Sequence, residues 1–269
     1  MATTAAQEAA AAYWVQRLSA VSEQQTASAR ARAIALWSGF TAWYSAEAVR
    51  ARAGQVAAAS LEAQSLTSGV FVEYAAQLYA ALFDQRRVSV PTVHLEPVRG
   101  GVDLALVHAR AAKAFRRAAA QGLGADEALT AALDKAAALI EADIMLAARQ
   151  AQLDAFADLG VERYRRVLRP ELSRSGSCAL CAVASTRTYA IADLMPIHEH
   201  CKCAVMPAGR VDPARVLNDT DVAELYGDAD SEGRRKLSRT RVQVQQHGEY
   251  GPVLTFDGQQ FTGPQDLAA

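Results

Sequence analysis

The chain has 269 residues, 51% of them apolar, with 28 Lys and Arg against 29 Asp and Glu. That length allows one large domain or two smaller ones, with enough chain to bury a substantial core. A net charge of −1 provides no general electrostatic grip on DNA or on an anionic membrane, so nucleic-acid contact is expected to be weak at most. No run of roughly 18 apolar residues occurs, and no membrane span is expected. The opening "MATTAAQEAAAAYW" lacks a basic segment followed by a strongly apolar one, so it does not read as a secretory signal. The thiols are therefore expected to begin in a reducing cytoplasm, where clustered cysteines serve as metal ligands more readily than as disulfides.

Residues 1–85 are Ala-rich and free of Pro, a composition that loses little entropy on becoming helical. Two apolar stripes recur at helical spacing: Ile34, Trp37, Phe40 and Tyr44, then Phe71, Tyr74, Leu78 and Leu82. They predict long antiparallel helices packed on one another, with the aromatics in the core. Residues 86–101, "RRVSVPTVHLEPVRGG", carry two prolines and a Gly pair and read as an extended linker, in which His94 is a loop histidine. Helical spacing resumes over 102–170. Leu104, Val107, Ala111 and Phe115 fit one helix, on which His108 is a structural residue. Asp126 and Glu127 then open a long helix with a stripe of Leu129, Leu133, Ala136, Ile140 and Ile144, which Gly160 is placed to stop. Arg163, Arg165, Arg166 and Arg169 form a basic run best read as a solvated helix face.

Residues 171–210 hold all four cysteines and two of the five histidines. The spacing is Cys178-x2-Cys181, sixteen residues, then His198-x2-Cys201-x-Cys203, with His200 between. Two thiolates separated by two residues can aim at one point from a tight turn, and a second pair can close a tetrahedron around Zn. The candidate metal ligands are Cys178, Cys181, His198, Cys201 and Cys203. Either all four cysteines, or Cys178, Cys181, His198 and one of the last two, would fill the shell. Such a Zn would act as a staple with no open position for catalysis. Two disulfides, or buried thiols bearing no metal, are the alternatives. A Cys–His nucleophile is disfavoured by three further thiols at ligand spacing, and the chain has no nucleophile elbow, phosphate loop or H-E-x-x-H pair. No small-molecule substrate is indicated.

The last segment, 211–269, changes texture. "DVAELYG" has capping-box spacing and a terminal Gly, "TRVQVQQ" alternates like a strand, and Asp257-Gly258 between apolar runs signals a hairpin. "HGEYGP" reads as a turn entering that hairpin. The fold class expected is mainly α: a helical body (1–85 and 102–170 around the linker), a Cys/His knuckle (171–210), and a small α+β segment with a β-hairpin.

A helical lead-in "ARQAQLDAFADLGVERYRRVL", then C-x2-C, then P-x-H-x-x-C-x-C and a closing "MP" resembles the phage Mu protein F-like family of minor head, or head morphogenesis, proteins. The run "LMPIHEHCKCAVMP" and the later "HGEYGPVLT" are similar to the form found in tailed phages of actinobacteria. The likeness covers about residues 100 to 264 and is densest over 147–207. Many members carry an acidic residue beside an Arg before the first cysteine. Here the sequence is "RSGSC", with Arg174 and no adjacent Asp. The resemblance implies a low-copy protein of the virion interior, made in the bacterial host cytoplasm and associated with the portal and with capsid or scaffold proteins. Relatives of this kind are also described as capsid maturation proteases. That activity is the alternative expectation, though no residue constellation here argues for peptide hydrolysis.

Overall fold

The computed structural model describes residues 4–85, 88–94, 98–169, 172, 177–186, 188–191, 203–208, 239–247 and 251–256. The protein is mainly helical, with small sheets in its C-terminal part. It divides into a helical unit, residues 10–81 and 85–160, and a second unit built from the described residues of 1–9, 82–84 and 161–269.

Four long stretches make the helical unit: α1 (Ala5–Ser38), α2 (Ala46–Phe83), the pair α3 (Leu104–His108) and α4 (Arg110–Ala120), and α5 (Ala125–Asp158). The first two run antiparallel, as their cross-links show. Arg52 donates to the Leu36 carbonyl, Arg32 pairs with Glu62, and the Thr67 hydroxyl meets Gln25 at 3.3 Å. The second predicted stripe is buried throughout, with Phe71, Tyr74, Leu78 and Leu82 all at 5% exposure or less. The first differs. Helix α1 ends at Ser38, and beyond it helical spacing no longer decides which side chain faces inward. Tyr44 is 71% exposed and Trp43 takes the core position instead. Trp43 stacks on Trp37 (centroids 5.4 Å apart) and on Phe115 of α4 (4.3 Å), while Phe40 meets both tryptophans edge-on. Aromatic contacts of these two geometries add to the burial of apolar area. The Ser45 hydroxyl accepts from Ala48 N–H and starts α2.

The expected single helix through Leu104 and Phe115 is two, joined at Ala109, whose N–H still bonds to the Ala105 carbonyl at 2.9 Å. Asp103 caps α3 through its side chain. Helix α5 begins after Gly124, whose N–H donates to Glu127 at 3.0 Å, and stops where Gly160 adopts φ +71°, a conformation that costs glycine little. The helix therefore ends at the glycine placed to stop it, with Leu159 as its C-cap.

Residues 163–167, expected to be helical as part of 102–170, form a strand, β1 (Arg163–Val167). The reason is the break at Gly160 followed by strand alternation. Tyr164 and Arg166 are buried, while Arg163 is exposed and Arg165 half-buried. The basic run is consequently not a solvated helix face. Arg166 and Arg169 are only 5% and 7% exposed, Arg163 bonds to Thr188, and Arg165 pairs with Glu8. Strand β1 lies between β3 (Thr188–Ala190) and β4 (Ala204–Pro207), antiparallel to both, with Tyr164 opposite Tyr189 on one side and Pro207 on the other. A second antiparallel sheet sets β2 (Ser177–Cys178) beside β5 (Arg241–His247), and β5 beside β6 (Gly251–Phe256). The alternating "TRVQVQQ" is thus a strand, and its hairpin partner is 251–256, in register from Val242↔Phe256 to His247↔Gly251. The expected turn at Asp257-Gly258 and the expected helix at 221–227 lie outside the described residues. Between the sheets in sequence runs α6 (Ala179–Ser185), every residue of which is buried.

Candidate functional site

The cysteine segment is the first candidate. Cys178 closes β2 and is also the N-cap residue of α6, with φ −76° and ψ 149°. Its Sγ accepts the Cys181 N–H at 3.3 Å, the role an Asp or Ser oxygen plays at other helix starts. The two-residue gap thus spans one tight turn that carries both cysteines. Cys203 precedes β4 and lies beside Arg166 of β1, whose Nη1 is 3.4 Å from its Sγ. Cys178, Cys181 and Cys203 are 4–5% exposed.

His198 and Cys201, the remaining predicted ligands, lie outside the described residues. Among the described residues no three Cys, His, Asp or Glu side chains converge closely enough to hold a metal ion. Cys178 and Cys181 place on one turn two thiols of the kind that a tetrahedral Zn shell takes. Completing that shell calls on Cys203, His198 or Cys201.

The second candidate was not foreseen. Asp143 on α5 is fully buried and gathers three partners within the helical unit. The Ser60 hydroxyl of α2 donates to Oδ2 at 2.9 Å, Arg99 Nε donates to Oδ1 at 2.5 Å, and His108 Nε2 of α3 stands 3.0 Å from Oδ2. The imidazole contact has ion-pair distance without the alignment of a well-directed N–H···O bond. Gln64 in turn donates to Ser60 Oγ at 2.9 Å. Burial alone would push the Asp143 carboxyl up. The contacts from His108 and Arg99, with the positive charge of Arg99, outweigh it and hold the group below the usual carboxylate range. The carboxylate lies between Ser and His, so the serine proton goes to Asp143 and not to an imidazole nitrogen. That is the wrong order for a serine nucleophile. What the network does is tie α2, α3, α5 and the 98–101 turn to one buried charge.

A signal for Asp143 existed. It sits three residues after Ile140 and four before Ala147, on the same buried stripe of α5. A carboxylate at a core position of a helix requires partners. Arg99, from the segment read only as a linker, carried no such signal, because its role comes from a tertiary contact 44 residues away. Comparison with protein-family models, with curated protein sequences and with solved structures gave no match.

Proposed function

We propose that this chain is a phage minor head protein of the Mu F-like kind, an assembly component of the virion interior that binds portal and capsid or scaffold proteins. The observation that carries this reading is the ordered run from C-x2-C to P-x-H-x-x-C-x-C and "MP". Its support from geometry is that Cys178 and Cys181 share one capped turn and that Cys203 is buried against Arg166. A mainly helical body with long faces suits binding spread over area. Within this reading Zn is a structural staple, held by Cys178 and Cys181 with partners from Cys203, His198 and Cys201. When bound it would supply cross-linking of the turns, which is folding free energy.

The test is co-expression with the portal, scaffold and major capsid proteins of the same genome. Stable association with the portal and no change in the mass of the other proteins is the expected result. Failure to associate with any of them overturns the proposal. Cleavage of scaffold or capsid protein, abolished by a point substitution in this chain, would replace it with a maturation protease. Elemental analysis of the purified, reduced chain should find about one Zn, lost together with masking of the thiols when a chelator is added.

A further inference from the structure

The helical unit contains a cavity of about 480 Å³, between α2, α5 and the turn that enters α3. Pockets for small molecules typically fall in the range of about 300–1,000 Å³, mostly apolar with a few placed polar groups. This one has that make-up. Ala57 and Leu61 of α2, Val98 and Val102 of the turn, and Ala147 of α5 provide apolar walls, and Arg99 is the charged residue among them with nitrogen to spare. Its Nε is committed to Asp143, yet among the described residues its two Nη groups have no hydrogen-bond partner. The side chain is 22% exposed, while Asp143 is sealed at 0% and does not line the cavity. The buried carboxylate therefore orients the guanidinium and leaves its outer edge available. The carboxylate that does line the cavity, Asp103, is occupied at Oδ1 by the Ala105 N–H at 2.8 Å.

We propose that this cavity binds a small amphiphile with a carboxylate head. The head takes the Arg99 Nη groups in paired charge-assisted hydrogen bonds, for which the planar fork of arginine is built. The apolar body lies against Ala57, Leu61, Val98, Val102 and Ala147. Asp143 offsets much of the Arg99 charge at longer range, so preference for the anion over a neutral analogue is set by the directed hydrogen bonds and is about tenfold. This site stands apart from the cysteine segment and does not depend on the function proposed above.

The experiment is calorimetric titration of the full chain with decanoate, decanol and decyltrimethylammonium. Saturable decanoate binding is expected, with decanol about tenfold weaker and the cation weaker still. Arg99→Gln should reduce decanoate affinity about tenfold and leave decanol within threefold. Because Arg99 also partners Asp143, a second variant guards against misfolding. Ser65 lines the cavity and is exposed, so Ser65→Glu adds a repelling charge without touching the core. It should weaken decanoate about tenfold and leave decanol unchanged. No decanoate binding at millimolar concentration, equal affinity for decanoate and decanol, or indifference of decanoate to Ser65→Glu would each overturn the proposal.

Discussion

The two units of this protein solve the problem of burial differently. The helical unit has four long stretches, a stacked aromatic centre at Trp37, Trp43 and Phe115, and a buried carboxylate, Asp143, met from three sides. Its contacts recur along every turn, so stability is spread over many residues. The second unit has described strands of two to seven residues and one seven-residue helix. Among its described residues the buried side chains include Tyr164, Leu180, Val183, Val205 and Met206, with several alanines and the sulfurs of Cys178, Cys181 and Cys203. Short elements hold few contacts each, and units of that kind often gain from a staple. The comparison teaches where a metal would matter in this chain: in the unit of short elements that has the thiols.

Removing the staple should give the largest difference between the units. With Zn held as proposed, a chelator or the Cys178→Ala, Cys181→Ala double variant should abolish amide-exchange protection in β1, β3 and β4. Protection in α2 and α5 should be unchanged, since the free energy of structural Zn, about 10 kcal/mol or more, is folding free energy for its own unit alone. Equal loss in both units, or no loss in either, would break the contrast.

Next is the buried charge. Asp143→Ala leaves Arg99 and His108 without their common partner and should destabilise the helical unit by about 3–5 kcal/mol in urea unfolding followed by helical circular dichroism. A loss under about 1 kcal/mol would mean that the network contributes little.

The same carboxylate sets an acid limit. Its folded pKa is lowered, so its contribution is fully present above the unfolded value near pH 3.9 and is lost as pH falls through the folded value. Helix stability should therefore decline below about pH 4, and the decline should be shallower in Asp143→Asn. Identical pH profiles for the two proteins would remove Asp143 from the account.

The smallest expected effects sharpen the view that stability in the helical unit is distributed. Glu127→Ala, which removes the acceptor for Gly124 N–H, should cost about 0.5–1 kcal/mol. Arg32→Ala, which breaks an exposed pair with Glu62, should cost under about 0.5 kcal/mol by the same unfolding measurement.

Much of this architecture was determined by sequence alone. Ala-rich segments without Pro are helical because local entropy favours it. Phe71 to Leu82 faces inward because helical spacing repeats over many turns. The C-x2-C turn and the alternating strand at 241–247 are likewise local, each decided by residues within one or two turns of chain. Tertiary structure decided the rest. Whether Trp43 or Tyr44 enters the core depends on how the chain turns after Ser38, where no periodicity operates. That "RYRRV" is a strand depends on β3 and β4 arriving to pair with it, because a short basic segment has no strong preference of its own. The partners of Asp143 come from positions 60, 99 and 108. No local rule brings these residues together. They meet because a buried carboxylate is tolerable only where the fold can place donors around it.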